Sequence, residues 1–446
     1  MNNILQSINP SSGELIGEVK ITSQNEINEK VANARTAFNK WKLVPLNERV
    51  DIITRAFEAL APMQRDLAKL MSMEMGKSGG RSVGEVSSVI HNAEYISGNV
   101  ALSLRPTNKS ARTEIQYLPL GVAAVIAPWN YPLAMATNLI IPSLVAGNTV
   151  IFKPSEETPI VADEMVAALN EYLPENILQI VHGSKDVGQM VVESDVNIIA
   201  FTGSQRAGKD IMKRASSGLK RLIMELGGND PLIVMGNANI EAAARFAVGS
   251  SFENSGQMCI STERVYVDDK VADMFEARVK ALAANYKAGS WDDREASIGP
   301  LINDSQFQKV NHHISDAIDK GAKLLVGNLA QKPPYIEPTV ISGITPSMLL
   351  ENEETFGPVV AIARYENIEE AISRANDSEY GLGAVVFGAQ GALDVANQLE
   401  AGMVAINQSV GGEGDSPWVG AKQSGFGYRG SPEGHRQFTQ VKVLNK

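Results

Sequence analysis

The chain contains a single cysteine, Cys259, set in Asn-Ser-Gly-Gln-Met-Cys-Ile-Ser (254–261) after a glycine turn and outside any helical or strand periodicity. A thiol placed this way suits attack on an electrophilic carbon, because sulfur is a better nucleophile than a hydroxyl and nearby backbone N–H groups favour the thiolate. A lone cysteine is also commonly a small buried hydrophobe, so two readings stand. Glu225 closes the apolar run RLIMEL (221–226) and is followed by Gly-Gly. At the carboxyl end of a parallel strand a carboxylate lies where such sheets bind ligands, and apolar surroundings would raise its pKa towards general-base use; the competing reading is a strand end facing solvent. Asn130, in Pro-Trp-Asn-Tyr-Pro (128–132), can donate its amide to a developing oxyanion or simply serve the turn. Histidines 91, 182, 312, 313 and 435 are scattered, so a metal site is not expected and a Cys-His arrangement is neither shown nor excluded.

Two further strings have the chemistry of a dinucleotide contact. Phe-Thr-Gly-Ser-Gln-Arg-Ala-Gly (201–208) follows an apolar run and opens a helical one, so free N–H groups there can meet a pyrophosphate. Its Gly203 and Gly208 fit neither GxGxxG nor GxxxxGK[ST]. Lys-Pro-Ser-Glu (153–156) offers Lys153 and Glu156 to ribose hydroxyls, or is a solvated helix start broken by proline.

The elements that must position these residues are legible as patterns. Ser23 and Glu26 form a capping-box pair ahead of Ile27, Val31, Ala34, Phe38 and Trp41 at helical spacing, and a second helix is expected from about Asn47. From residue 121 short apolar runs alternate with helical segments: 122–127, 149–152, 178–181, 197–201 and 221–226. Such βαβ alternation implies a Rossmann-like parallel sheet covered on both faces. A second α/β series follows, with runs at 232–235, 263–267, 359–365, 384–388 and 403–407 and helices near 239–251 and 270–285. The turn at Gly227-Gly228 is the expected boundary, and the glycine-rich stretch 408–430 is expected to be a long ordered loop.

Length and charge narrow the function further. At 446 residues the chain exceeds one hydrophobic core, and 44% hydrophobic with 20% charged residues is ordinary for a globular protein. Acidic residues outnumber basic ones 51 to 40, a net charge of −11 that repels nucleic acid and anionic membranes. The expectation is a cytoplasmic protein with no export signal, no membrane span and no internal disulfide.

Taken in order, Pro-Trp-Asn-Tyr-Pro, Lys-Pro-Ser-Glu, Phe-Thr-Gly-Ser, Glu-Leu-Gly-Gly, Gly-Gln-Met-Cys, Glu-Glu-Thr-Phe-Gly-Pro (353–358) and Lys-Gln-Ser-Gly-Phe-Gly (422–427) resemble the aldehyde dehydrogenase superfamily over nearly the whole chain. The resemblance implies an NAD-binding domain over 1–101 and 121–227, a catalytic α/β domain over 228–420, and a small β oligomerisation element from 102–120 and 436–446, hence a homodimer or homotetramer. It makes Cys259 the nucleophile, Glu225 the base that activates water, and Asn130 the side-chain half of an oxyanion hole. Cofactor contacts would come from Trp129, Lys153, Ser155, Glu156, Gly203, Ser204, Gly208, Leu226, Glu354 and Phe356, and substrate contacts from Tyr131, Asn138, Glu253 and Met258. Glu156 would repel a 2′-phosphate, so NAD is expected over NADP, and the presence of Glu225 implies hydrolysis rather than transfer to coenzyme A. Members that oxidise succinate semialdehyde carry arginines where this chain has Asn138 and Glu253, so a neutral or cationic aldehyde is expected. A succinate-semialdehyde dehydrogenase using NAD or NADP, or a non-catalytic structural use of the fold, are the alternatives. Arg429 replaces a second glutamate of the family pattern, leaving Glu225 as the base.

Overall fold

A computed structural model describes residues 3–446. Its first sheet runs in the order Gly425–Phe426, Arg221–Glu225, Ile198–Thr202, Val122–Ile126, Thr149–Lys153, Leu178–Ile180, with all but the two-residue outer strand parallel. Every residue of the three central strands is buried, which is why they read as unbroken apolar runs rather than as alternations. Helices Pro132–Val145 and Pro159–Asn170 pack with one face of this sheet, in a core that includes Leu133, Leu144, Met165 and Phe152. Helix Gln24–Trp41 covers the other face through Ile27, Val31 and Ala34, and its Ser23/Glu26 capping box is formed.

The second sheet has the order Lys323–Val326, Thr339–Ser342, Val359–Tyr365, Thr262–Asp268, Asp230–Val234, Gly383–Phe387, Met403–Ile406, and only its first strand is antiparallel. Helices Ile240–Phe252 and Asp269–Ala283 lie on one side of it, with Ala247, Phe252, Phe275 and Val279 in the core. The chain crosses from the first sheet to the second between Glu225 and Asp230. A third sheet joins Thr107–Asn108 and Thr113–Pro119 to Thr439–Asn445. Among the described residues no helix is long and apolar enough to cross a membrane.

Several expectations need correction. Residues 102–103 end the helix Gly79–Ser103, so the β element starts only at Thr107. The stretch 408–430 is not one loop: Lys422–Ser424 forms a helical turn, and Gly425–Phe426 returns to the first sheet beside Met224 and Glu225. That sheet therefore draws on chain beyond 1–101 and 121–227. The hairpin Ile4–Ile8/Leu15–Lys20 and the strands Lys323–Val326 and Thr339–Ser342 gave no readable signal. The first two have mostly exposed or half-buried faces, Lys323–Val326 lies at the sheet edge with no fully buried residue, and Thr339–Ser342 has only two apolar residues, Val340 and Ile341, between polar ends.

Candidate active site

The passage between the two sheets is tight enough to require glycine. A Cβ on Gly227 would lie 2.4 Å from Glu354 Oε1, and one on Gly228 would lie 2.3 Å from the carbonyl oxygen of Cys259. Glu354 Oε1 accepts the Gly228 N–H at 3.1 Å, so this turn is tied to the opposite wall. Cys259 itself follows a turn in which Asn254, Ser255 and Gly256 all have positive φ, at 49°, 60° and 71°. Left-handed backbone is costly for a residue with a side chain, and it persists where surrounding contacts fix it. Here Asn254 Nδ2 donates to the carbonyls of Asn130 and Gln257, both at 3.2 Å, and Ser255 Oγ donates to Gly299 at 3.0 Å. Gln257, fully buried, accepts from Ile302 N at 3.0 Å and donates to Pro300 O at 3.3 Å.

The thiol is half-buried and lines a cavity of about 450 Å³. Burial pushes its pKa up to about 12, with Asp230, Glu225 and Glu354 adding to the rise and Arg429 opposing it. It is therefore a neutral thiol at rest. Asn130 lines the same cavity; its Nδ2 donates to the Gln257 carbonyl at 3.0 Å, which locks the amide and leaves one N–H for the cavity. Glu225 is buried and is not among the cavity-lining residues. Its Oε1 lies 2.9 Å from Arg429 Nε, although neither carboxylate oxygen receives a well-aligned hydrogen bond, so the contact is an ion pair more than a directed bond. Burial raises the carboxyl pKa and the guanidinium opposes that rise.

Much of the wall is apolar and aromatic, from Trp129, Tyr131, Met135, Leu226, Met258, Phe356 and Trp418, with the Trp129 and Phe356 rings edge to face at 5.6 Å; Thr202, Gln306, Lys309 and Glu354 add polar and charged groups. Tyr131 and Met258 thus stand where the sequence puts them. Asn138 and Glu253 do not line the cavity. On helix Pro132–Val145 the wall is reached by Met135, and Asn138 lies one turn further along, half-buried. Glu253 sits behind Tyr131, whose hydroxyl donates to it at 3.3 Å, and pairs with Arg81 at 2.5 Å. Deeper still, a buried Lys77–Glu85 pair supports the same turn: Lys77 Nζ stands 3.7 Å from the Tyr131 ring centre, and Glu85 Oε1 accepts the N–H groups of Leu133 and Ala134 at 3.1 Å.

A second cavity of about 570 Å³ adjoins the first, sharing Pro128, Trp129, Thr202, Gly203 and Ser204, and reaches Lys153, Ser155 and Glu156. Ser204 caps helix Gln205–Ala215 by accepting the Ala207 N–H at 3.3 Å, so its hydroxyl is engaged, and Arg206 and Ala207 in the first turn also line the cleft. Lys153 Nζ lies 3.5 Å from Glu156, and Thr202 Oγ1 is buried at the junction without a partner. These features fit a dinucleotide laid across both cavities. Gly208 needs correction: it lines neither cavity, and a Cβ there would meet Leu226 at 2.7 Å, so its part is close packing of helix on strand.

Sequence reasoning missed Thr202, Gln306, Lys309 and Trp418 on the walls, and Arg81, Lys77 and Glu85 behind them. Glu263 was missed as well. Its carboxylate accepts the N–H groups of Thr355 and Phe356 at 2.6 and 2.7 Å and so holds Phe356 at φ 57°. The loop is legible as Glu-Glu-Thr-Phe-Gly-Pro, but nothing beside Glu263 in the sequence points to two amides over ninety positions ahead.

Two α/β units that meet at a lone thiol, with a dinucleotide-sized cleft opening onto a small chamber, have the architecture of a nicotinamide-dependent oxidoreductase. The aldehyde dehydrogenase family model matches residues 2–444, so the chain belongs to that family and oxidises aldehydes with a nicotinamide cofactor. It is 34% identical to the mitochondrial succinate-semialdehyde dehydrogenase of Arabidopsis thaliana, over 99% of this chain and 86% of the relative. A probable NADP(+) succinate-semialdehyde dehydrogenase of Sinorhizobium fredii is 35% identical, over 98% and 91%. Among solved structures, the NADP-dependent glyceraldehyde-3-phosphate dehydrogenase of Bacillus halodurans complexed with NADP superposes with a TM-score of 0.94 at 34% identity, over 100% of this chain and 96% of that one.

Proposed function

We propose that the protein oxidises a neutral aldehyde to the carboxylic acid with NAD, through a thiohemiacetal and a thioester on Cys259. The thiol proton passes to solvent water as the sulfur bonds to the carbonyl carbon, the C=O π pair moves onto oxygen, and the cavity-facing N–H of Asn130 with the backbone N–H of Cys259 stabilises that oxyanion. A bound nicotinamide supplies the hydride acceptor and, in its oxidised form, a positive charge that favours the thiolate. Glu225 then takes a proton from water, whose oxygen attacks the thioester carbon. The C–S bond breaks, and the acid leaves with the sulfur restored.

The observation that carries the substrate class is the chamber wall. It is aromatic and thioether-rich, and no arginine lines it. Glu253 is already compensated by Arg81, which removes the reason to expect a cationic substrate and leaves a neutral one. For the cofactor, the Glu156 carboxylate beside Lys153 would repel a 2′-phosphate, which supports NAD. Exposed Leu118, Val441 and Val443 on the three-stranded sheet support a homo-oligomer. A second reading, an anionic semialdehyde, draws support from the names of the relatives and from Lys309, the one basic residue on the chamber wall.

Measuring NADH formation over neutral aliphatic, aromatic, amino and acidic aldehydes, with and without coenzyme A, tests both readings. The proposal expects kcat/KM highest for neutral aldehydes and no acceleration by coenzyme A. A panel led by succinate semialdehyde would replace it with the second reading.

A further inference from the structure

Glu225 lies on the first sheet, but what it touches comes from the chain's far end. Gly425–Phe426 pairs antiparallel with Met224 and Glu225, and the chain then turns back through Gly427 at φ 73°, which brings Arg429 over the end of the Glu225 strand. The Arg429 guanidinium meets Glu225 at 2.9 Å and lies 5.1 Å from the ring centre of Trp418, which forms part of the chamber wall. The Trp418 N–H donates to the Arg429 carbonyl at 2.9 Å, so the stack is fixed by backbone as well. Both charged side chains are largely buried, with 17% and 5% of their surface exposed. An arginine here departs from the glutamate of the family pattern and inverts the charge facing the base.

Resting on the reading of Glu225 as that base, we propose that Arg429 is a positioning residue: it keeps Glu225 ionised in an apolar enclosure and holds the carboxylate turned out of the chamber that contains Cys259. Two observations and one electrostatic argument agree with this. Glu225 is absent from the chamber wall although Leu226 and Gly227 are on it. Removing a carboxylate from water favours its neutral form, which cannot accept a proton, and an adjacent cation counters that tendency. The imperfect alignment of the pair, with neither carboxylate oxygen hydrogen-bonded, leaves Glu225 able to exchange Arg429 for a water molecule when the thioester is present. The other charged or titratable groups around the pair are the Cys259 thiol, with Asp230 and Glu354 beyond it, and His435, which bonds Asp415 at 2.9 Å and feels the Arg429 charge.

The test compares Arg429→Gln and Arg429→Glu with the wild type in two readouts: the pre-steady-state burst of NADH and the acid limb of kcat against pH. Removing the cation makes Glu225 harder to ionise, so the limb should move to higher pH by about one unit or more in R429Q and further in R429E. The burst at high pH should stay near the wild-type rate. R429E places the family's residue at this position and keeps the test open should R429Q fail to fold. A folded R429Q or R429E with the wild-type limb overturns the proposal. Glu225→Gln run alongside separates the two readings. Slow turnover after an intact burst supports the base role, so an unmoved limb would then sink only Arg429's part, whereas normal turnover of E225Q would sink both.

Discussion

The dinucleotide cleft and the Cys259 chamber are neighbours built in opposite ways. The cleft stands on strand ends and a helix N-terminus: Lys153 and Thr202 end parallel strands, and Ser204 caps the next helix, each a few residues from the apolar run that places it. The chamber depends on backbone that no local preference favours. Asn254, Ser255 and Phe356 have positive φ, held by bonds that they donate to Asn130, Gly299 and Glu263 across tens to more than a hundred residues of sequence. Regular elements suffice to present N–H groups to an extended anionic ligand. Bringing one sulfur and one amide to the same small cavity, with a carboxylate held just behind it, requires strained segments locked from several sides.

If that contrast is right, changes in the chamber should be far more costly than changes in the cleft. The largest effect should come from Cys259→Ser, which removes the only thiol, and burst kinetics should show a loss in the first hydride transfer on the order of 1,000-fold or more. Asn130→Ala comes next. It loses the cavity-facing N–H and also the bond to Gln257 that braces the cysteine turn, so kcat should fall on the order of 100-fold or more while the KM for NAD moves little. In the cleft, Glu156→Gln removes one half-exposed carboxylate, and the kcat/KM ratio of NADP to NAD should rise roughly tenfold with the NAD rate largely kept. An Asn130 variant milder than the Glu156 one would reverse the contrast.

The same division explains what a sequence can show. The two parallel sheets were legible because fully buried strands are contiguous runs, and five of those runs coincide with strands of the first sheet to within a residue or two. Cys259, Asn130 and the Gly-Gly turn were legible because their residue types are unusual where they stand. Arg81 and Lys77 were not, since a cation near the start of a long helix reads as a solvated surface until the fold brings Glu253 and Tyr131 against it. Asn138 and Gly208 mislead for a related reason: motif position gives the neighbourhood of a residue and not the direction it faces. Glu263 is the sharpest case, a strand residue whose whole contribution is to two amides over ninety positions away.

Buried carboxylates lie outside the chamber as well, and they supply the smallest predicted effect. Glu74 is fully buried where the N-terminal hairpin meets the first domain: it accepts the Ser7 hydroxyl at 2.6 Å and the N–H groups of Ile160 and Val161 at 2.9 and 2.8 Å, at the start of helix Pro159–Asn170. Burial outweighs these bonds and raises its pKa from 4.5 to about 7. A carboxyl raised in the folded state holds its proton there while the unfolded chain has already lost it. Its contribution to stability is therefore complete below the unfolded value and is lost as pH rises through about 7. The whole window corresponds to at most on the order of 3 kcal/mol. Glu74→Gln keeps the shape and removes the titration, at a cost of about 1 kcal/mol for one mismatched amide. Thermal unfolding should thus show the variant below the wild type at pH 5, with the gap closing or reversing by pH 8. A constant gap across that range would mean that Glu74 is ionised throughout, and that its three donors outweigh burial at this site.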